Sequence, residues 1–198
     1  MKEFIYFSRS AHTSGNFKDL MKAGRLDIAC HTIIASFFVS HNIRPDVKLH
    51  LIFYGPPDPP KHLEIMSTPD MREFISKKDV SGLIKRMLYK YKKGQKVECF
   101  PGCYVEKKSL LSLVEELKNK GKQVLLMDRD GKDIQEIVRE NSVFIIGDQE
   151  GIPQKEKKRI FKMGERVSLG KETYFASQVV VILHYLLDRI CVGSTFCP

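Results

Sequence analysis

Three segments in the last third of the chain combine glycine with polar and charged residues, each directly after an apolar, strand-like run. They are Met127-Asp-Arg-Asp-Gly131, Gly147-Asp-Gln-Glu-Gly151 and Ser168-Leu-Gly-Lys-Glu172. In parallel α/β sheets, ligands bind beyond the carboxyl ends of the strands. Glycine lets the backbone approach a flat ring closely, and free N–H and C=O groups can then bind the edge of that ring. One such segment indicates only a tight turn, but three in series predict a ligand site.

The short motifs of several common enzyme classes are absent. No G-x-G-x-x-G follows a strand, and there is no P-loop lysine motif, no H-E-x-x-H and no G-x-S-x-G. These absences count against Rossmann dehydrogenases, P-loop enzymes, zinc proteases and α/β-hydrolases. The series of three strand ends therefore remains the main chemical signal.

The elements that must position these segments alternate between strand and helix patterns. Strands are predicted over residues 3–8, 46–54, 62–66, 123–127, 142–146 and 166–169. Helices are predicted over 26–43, 69–77, 80–91, 109–120, 134–140 and 177–191, with one more after Pro153. This alternation predicts an α/β fold in one domain over residues 1–198, with a parallel sheet flanked by helices.

Two loops are unusual in composition. Residues 9–24 are rich in Ser, Thr, Gly and Asn and predict a long polar loop after the first strand. The segment Gly55-Pro-Pro-Asp-Pro-Pro60 has four prolines, which remove backbone donors and fix φ. It is therefore expected to form a stiff loop at the carboxyl end of the strand before it.

The composition is that of a globular protein with a basic surface. The 198 residues are 42% hydrophobic and 29% charged, with a formal net charge of +9. Lysine and arginine concentrate in residues 77–96 and 155–166. Such clusters favour a polyanionic partner, RNA or DNA, although solvated helix faces give the same pattern. No signal-peptide pattern is visible, and the apolar run 26–43 is too polar to span a bilayer, so a soluble, cytoplasmic protein is expected.

The five cysteines do not form a convincing metal set, and no metal is expected. The run Cys99-Phe-Pro-Gly-Cys103 has no second Cys or His pair at zinc-like spacing, so it is expected to surround a turn. Whether Cys99 pairs with Cys103, or Cys191 with Cys197, stays open at the level of sequence.

Several of these segments together resemble the SPOUT, or α/β-knot, methyltransferases. The resemblance rests on Val143-Phe-Ile-Ile-Gly-Asp-Gln-Glu-Gly-Ile-Pro153, on Arg166-Val-Ser-Leu-Gly170 and on the apolar C-terminal helix. Gly24-Arg-Leu-Asp27 and Phe53-Tyr-Gly-Pro-Pro57 narrow it to the archaeal tRNA pseudouridine N1-methyltransferases, which act at position 54 of the T-loop. The similarity covers essentially the whole chain.

This resemblance implies a fold, a cofactor and an assembly. The sheet would end in a C-terminal trefoil knot, the chain would form a homodimer, and S-adenosyl-L-methionine (SAM) would bind in the knot. By analogy, the cofactor contacts are Leu126, Met127, Gly147, Leu169, Gly170, Lys171, Glu172, Thr173, Tyr174 and Val179.

The implied reaction is methyl transfer from a sulfonium to a ring nitrogen, for which alignment of the reactants is the main requirement. The N1 proton of pseudouridine must also leave, which calls for a carboxylate or a water molecule. Asp27, beside Arg25, is the candidate catalytic residue; simple N-capping of the helix is the alternative. Arg9 and Arg25 are expected to bind RNA phosphate or the flipped base, and Arg44 and residues 77–96 the RNA backbone.

Other functions remain open from the sequence. The nearest are methylation of a ribosomal-RNA pseudouridine or of a ribose 2′-hydroxyl. A non-catalytic RNA-binding or assembly factor would keep the fold but lose SAM binding. A small-molecule enzyme that uses the proline-rich loop as a lid would not bind RNA at moderate salt.

Overall fold

A mixed β-sheet forms the centre of the structure, a computed structural model that describes residues 1–69 and 76–193. The strands are β1 (Lys2–Ser8), β2 (Phe38–Val39), β3 (Asn42–Ile43), β4 (Val47–Phe53), β5 (Lys61–Met66), β6 (Val97–Phe100), β7 (Cys103–Glu106), β8 (Gln123–Asp133), β9 (Ser142–Gly147) and β10 (Glu165–Ser168). The helices are α1 (Leu26–Phe37), α2 (Lys77–Tyr89), α3 (Leu110–Asn119), α4 (Gln154–Ile160) and α5 (Ala176–Gly193).

The main sheet has eight strands in the order β10-β8-β9-β1-β4-β5-β7-β6. The pairs from β10 to β4 are all parallel, and those from β4 to β6 are antiparallel. The predicted parallel sheet is therefore confirmed for five strands. Of the antiparallel extension, β5 was predicted as a strand, whereas β6 and β7 were missed because each has only four residues, too few for a clear pattern.

Strand β1 is buried on both faces, as expected for a central parallel strand. Phe4 and Tyr6 face the core shared with α1 and α5, whereas Ile5 and Phe7 face the core shared with α3. Helix α3 begins after the Ser109 cap and buries the predicted apolar stripe of Leu110, Leu113, Val114 and Leu117. The two layers of helices thus cover both faces of the sheet.

Two predicted helices are shorter in the structure. Helix α1 ends at Phe37, and residues 38–43 form the small β2–β3 hairpin, whose turn places His41 at a positive φ of 63°. The predicted helix 134–140 is reduced to a single 3-10 turn, Ile134–Glu136, because the Asp133 side chain accepts from Gln135 N–H and the β-branched Ile137 and Val138 follow. The helix predicted over 69–77 falls mostly on residues outside the described part of the chain.

The run from Cys99 to Cys103 surrounds the β6–β7 turn, as predicted. Both thiols are buried and free, so they do not form a disulfide. Burial raises the pKa of Cys103 to about 12. The Cys191/Cys197 question lies outside the described side chains. Among the described residues, no helix has the length and apolar character needed to cross a membrane.

Candidate functional site

The three glycine-containing segments come together in one cleft at the carboxyl ends of β8, β9 and β10, as predicted. Strands β8 and β10 pair at Leu126 and Arg166, then again at Lys132 and Val167, so residues 127–131 bulge out of β8 between the two pairs. Gly131 sits where the bulge rejoins the sheet, and a Cβ there would lie 2.5 Å from the Val167 nitrogen. The bulge therefore needs glycine at its end.

The β8 bulge forms one wall of the cleft, and the loops that follow β9 and β10 form the other two. A Cβ on Gly147 would lie 2.8 Å from the Gly151 Cα, so the loop after β9 folds closely back on the strand end. After β10, the Ser168 hydroxyl donates to the Gly170 carbonyl at 3.0 Å, and Gly170 has a positive φ of 108°. The three walls enclose about 690 Å³ of empty space, part of it open to solvent, which is in the size range of small-molecule sites.

Eight of the ten residues expected to contact the cofactor line this cleft. They are Met127, Gly147, Leu169, Gly170, Glu172, Thr173, Tyr174 and Val179. The two others lie elsewhere. Leu126 is fully buried and packs in the core under α3, and Lys171 lines a neighbouring depression together with Arg129 and Asp130.

Several polar cleft residues were not predicted as ligands. Asp128 and Asp148 belong to the strand-end segments, so their place in the sequence already pointed to the cleft. Lys157 comes from α4, and its Nζ donates to Asp128 Oδ2 at 2.8 Å. Burial would raise the pKa of Asp128, but the Lys157 ion pair and the Asp130 N–H outweigh burial and lower it. This pair thus places a fixed, ionised carboxylate on one wall.

The pKa of Asp148 is shifted in the opposite direction from that of Asp128. It is 9% exposed, and its Oδ1 accepts from the Glu150 N–H at 2.9 Å, while its Oδ2 makes no well-formed hydrogen bond to the described residues. Burial raises the pKa of Asp148, and the Glu150 charge adds to this, although the Ser8 hydroxyl and nearby backbone N–H groups offset part of the effect. A carboxylate with a raised pKa is a better proton acceptor than an ordinary one.

The Tyr6 side chain is a buried phenol on β1, the strand next to β9. Tyr6 is fully buried, and its hydroxyl makes no hydrogen bond that meets bonding geometry within the described chain. Burial raises its pKa, and the negative charges of Asp148 and Asp27 raise it further. The Tyr6 hydroxyl therefore stays protonated at neutral pH.

Arg9, Arg25 and Asp27 lie at the carboxyl end of β1, beside the cleft. Arg9 directly follows β1 and is exposed. Arg25 donates to Asp27 through two bonds, Nε to Oδ1 at 2.9 Å and Nη2 to Oδ2 at 3.0 Å. The pair combines a half-exposed guanidinium with a nearly buried carboxylate.

The prediction that Asp27 could be the N-cap of α1 was wrong. Arg25 occupies the N-cap position, in the left-handed region at φ 61°, and its side chain makes no capping bond. Asp27 lies one residue inside the helix, where its charge favours the helix N-terminus. Its carboxylate serves the ion pair with Arg25 instead of a cap.

The two N-terminal segments on which the family resemblance rests, residues 24–27 and 53–57, both pack against the backbone of Ser10 and Ala11. A Cβ on Gly24 would collide with the Ser10 backbone, and a Cβ on Gly55 would collide with Ser10 and Ala11. The Thr13 hydroxyl donates to the Gly55 carbonyl at 3.0 Å and accepts from the Asp58 N–H at 2.9 Å. The polar loop, the proline-rich loop and the start of α1 therefore meet beside the cleft, where they position Arg25.

The fold of this chain has a counterpart among solved structures. Archaeoglobus fulgidus Nep1, solved with bound S-adenosylhomocysteine, superposes with a TM-score of 0.66 at 14% identity, over 96% of this chain and 99% of that chain. Residues 1–192 match the family model described as "Putative SAM-dependent RNA methyltransferase", and the chain belongs to that family. It is therefore a SAM-dependent RNA methyltransferase.

Curated relatives match nearly end to end. The protein of Methanosarcina mazei is 34% identical, over 96% of this chain and 92% of its own length. Those of Methanococcus aeolicus and Methanocaldococcus jannaschii are each 32% identical, over 96% of this chain and 98% and 99% of their own lengths. All three are named tRNA (pseudouridine(54)-N(1))-methyltransferase. The family resemblance drawn from the sequence is confirmed.

Proposed function

We propose that this chain methylates N1 of pseudouridine 54 in the T-loop of tRNA, with SAM as the methyl donor. The observation that carries the proposal is the arrangement of one sheet edge. The cleft formed by three glycine-containing loops follows β10, β8 and β9, and Asp148 at the end of β9 donates its N–H to the Phe7 carbonyl of the neighbouring strand β1 at 3.0 Å. The Arg25–Asp27 pair lies beyond the end of β1, where the Ser10 hydroxyl donates to the Gly24 carbonyl. The near full-length similarity to relatives of that name supports the same reaction.

The cleft residues fit SAM. The Cβ position of Gly170 is open, which leaves room for close approach of a planar ring, and Gly147 lets the Gly151 backbone fold against the strand end. Met127, Leu169 and Val179 offer apolar surface. When bound, SAM supplies an already activated methyl group, so the chain has only to align the two reactants.

Asp27 is proposed to position the base and Asp148 to accept the N1 proton. Both oxygens of Asp27 accept from Arg25, so the carboxylate holds the guanidinium in a fixed orientation toward the substrate side. Asp148 combines a raised pKa with an oxygen that lacks a well-formed bond among the described residues. Proton loss to Asp148 would leave N1 with the lone pair that attacks the methyl group.

Single-turnover methylation of a T-loop RNA by an Asp148→Asn variant tests the assignment. Asn keeps the Oδ1 that accepts from Glu150 and removes the basic oxygen, so the rate should fall on the order of 100-fold. SAM affinity and melting temperature should stay near wild type. Asp130→Asn, at an exposed position of the β8 bulge, is the control and should stay active. An active Asp148→Asn variant would remove Asp148 from the proton transfer.

Asp27→Asn separates positioning from proton transfer. The amide loses one acceptor oxygen, so Arg25 is held less firmly, and RNA affinity should weaken while SAM binding is kept. Rescue of the rate at saturating RNA would indicate a positioning residue. A rate that stays low by 100-fold or so at saturating RNA would return Asp27 to the role of proton acceptor.

The substrate assignment has a chemical control. In uridine, N1 carries the glycosidic bond and cannot be methylated, whereas in pseudouridine N1 carries a hydrogen. T-loop RNA with pseudouridine at position 54 should therefore gain one methyl group by mass spectrometry, and the same RNA with uridine there should gain none. Methylation of a ribosomal-RNA pseudouridine hairpin alone, or of a ribose 2′-hydroxyl, would favour the other activities.

RNA contact is proposed for the exposed basic surface around the site. Arg9 and Arg25 lie at the carboxyl end of β1, where the RNA is proposed to bind. Helix α4 adds the exposed Lys155, Lys158 and Arg159 beside the cleft. Phosphate contacts of this kind release counterions, so RNA affinity should fall steeply as salt is added. A flat salt response would leave the net charge of +9 as a solubility feature only.

A homodimer is proposed through the exposed face of α5 and α1. Val181 and Tyr185 are 56% and 58% exposed, although both are large apolar or aromatic side chains. Val181 lines a shallow apolar groove together with Ile34 and Ala35 of α1, and the groove reaches Tyr174 of the cleft. Tyr185 lies one turn further along α5. A second copy on this face would cover apolar surface and come close to the cofactor cleft.

The trefoil knot, the single domain over residues 1–198 and a cytoplasmic location complete the proposal. Strand β10 lies outside β8 at the sheet edge, yet α5, which follows it, packs on β1, β9 and α1. The chain therefore passes back across β8 after β10, which is the path that a knot requires. A tRNA substrate favours the cytoplasm.

A further inference from the structure

A second polar cluster lies within the sheet, away from the methyl-transfer cleft. His50 on β4 and His62 and Glu64 on β5 place one possible ligand atom each within 4.8 Å of the others. His50 and His62 are 1% exposed, and the Glu64 side chain is 12% exposed. Their side chains share the sheet face that also packs under α3, in the half of the sheet that carries the antiparallel strands.

The antiparallel register of β4 and β5 brings these residues together. His50 pairs directly with Glu64, and the next same-face pair is Ile52 with His62. His50 and His62 are therefore diagonal neighbours, with their rings stacked and the ring centres 5.1 Å apart. His50 Nδ1 lies 2.9 Å from His62 Nε2 and 3.8 Å from Glu64 Oε2.

Each imidazole is bound on its outer side by a carboxylate. His50 Nε2 lies 3.0 Å from Glu3 Oε1, and His62 Nδ1 lies 3.0 Å from Glu106 Oε1. Lys122 forms an ion pair with Glu3, and Lys108 forms one with Glu106, each at 2.8 Å. Both carboxylates are thus charged and accept only, so each ring must donate its outer N–H.

The inner nitrogens then face each other with lone pairs. A neutral imidazole has one donor and one acceptor nitrogen, and both donors are used on the outer side. His50 Nδ1 and His62 Nε2 are therefore two acceptors at 2.9 Å, which repel unless a cation lies between them. Either a shared proton or a metal ion supplies that cation.

We propose that His50, His62 and Glu64 bind a divalent transition-metal ion of the zinc class. Two imidazoles and one carboxylate are an established zinc ligand set, with a fourth position for water. Histidine ligands to zinc generally donate their other N–H to a carboxylate, as Glu3 and Glu106 accept here. A shared proton would involve the two rings alone. A metal ion would also use the carboxylate of Glu64, which lies beside the two rings as a third ligand.

The adjustment needed for the metal is small. Zn–N bonds of about 2.05 Å at a tetrahedral angle place the two nitrogens roughly 3.3 Å apart, so the rings would separate by a few tenths of an ångström. Glu64 now accepts from Lys96 Nζ at 3.1 Å, and the Lys96 side chain is 41% exposed. Lys96 would turn to solvent when the metal binds, and it therefore competes with the metal for Glu64.

The bound ion would act as a structural cross-link. It would join β4 to β5 directly and, through the outer carboxylates, join β1 and β7 to the same cluster. The cross-link would span the boundary between the parallel and antiparallel halves of the sheet. Its effect would be on stability, independent of the methyl-transfer proposal.

The test uses full-length protein stripped with a chelator and titrated with Co²⁺ and Zn²⁺. One equivalent of Co²⁺ should give the absorption bands of a tetrahedral site, Zn²⁺ should displace it, and Zn²⁺ should raise the melting temperature. Glu64→Gln should weaken binding at least about tenfold, and Lys96→Met should strengthen it. Glu98→Gln, on the exposed surface of neighbouring β6, is the matched control and should bind as wild type.

Two results would overturn the metal site. The first is the absence of stoichiometric Co²⁺ and Zn²⁺ binding by the folded wild type, which would assign the shared proton to the histidine pair. The second is equal affinity in wild type and Glu64→Gln, which would place any bound metal elsewhere. Glu64 and Lys96 are both at the solvent edge of the cluster, so neither change needs the buried histidines to be replaced.

Discussion

His184 on α5 should make the protein less stable in mild acid. It is 1% exposed, and its Nε2 donates to the Ser36 carbonyl of α1 at 2.9 Å, while its Nδ1 has no hydrogen-bond partner among the described residues. Burial and the positive charges of Arg44 and Lys2 lower the pKa of His184 from 6.5 to about 4, although the Ser36 bond and the Asp188 charge oppose them. Protonation would bury a charge with no acceptor for the new N–H.

The sign and size of the effect follow from linkage. Between the folded pKa of about 4 and the unfolded value of 6.5, the unfolded state binds the proton and the folded state does not. The stability contributed by neutral His184 is therefore fully present above pH 6.5 and is lost as the pH falls toward 4. The loss is about 2 kcal/mol at pH ~5 and approaches about 3 kcal/mol below both pKa values.

Urea unfolding of wild type and His184→Gln at pH ~7 and pH ~5 measures this term. The Gln amide keeps a donor for the Ser36 carbonyl and does not titrate. Wild type should lose about 2 kcal/mol more free energy of unfolding than the variant between the two pH values. All other titrating groups are present in both proteins, so their contributions cancel at equal protein concentration. An equal acid loss in the two proteins would refute the assignment to His184.

Three further predictions concern the cleft, the assembly and one helix. Gly147→Ala should lower SAM affinity by at least about tenfold in calorimetry, because its Cβ forces the Gly151 backbone away. Gly82→Ala, where a Cβ meets nothing within 4 Å, is its control and should leave SAM affinity unchanged while stabilising α2 by up to about 1 kcal/mol. Val181→Asp should turn a dimer into a monomer in sedimentation, and a dimer that persists would move the interface away from α5. Ser76→Ala removes the side chain that caps α2, and should lower the free energy of unfolding by about 1 kcal/mol in urea.

The cleft could be predicted from sequence because its determinants are local. Each of its three walls combines a strand with a following glycine-containing segment, and parallel neighbours end on the same edge. What escaped prediction came from distant elements. Lys157 reaches Asp128 from α4, and the bulge of residues 127–131 is visible only in the register of β8 with β10.

The Arg25–Asp27 pair and the histidine cluster could not be predicted in detail, because both depend on contacts between residues far apart in the chain. The sequence placed Arg25 and Asp27 side by side, but it did not show that Arg25 has a left-handed backbone and donates twice to Asp27. Gly24, the residue before it, packs against the Ser10 backbone, which is distant in the chain. His50 and His62 are far apart in the chain, so only the β4–β5 register makes them neighbours. The residue pattern within a single strand does not predict which residues of two strands become neighbours.

The order of the strands explains how donor and acceptor sites come to lie side by side. Strands β10, β8, β9, β1 and β4 are parallel and adjacent, so all five end on one edge of the sheet. The cleft residues follow β10, β8 and β9, whereas Arg9 and the proline-rich loop follow β1 and β4. The boundary between the two groups is the β9–β1 pair, and Asp148 stands at the end of β9, facing Ser8 and Arg9 at the end of β1. A proton acceptor for the base has to stand between the methyl donor and the RNA, and of the carboxylates that line the cleft, Asp148 is the one that this strand order places there.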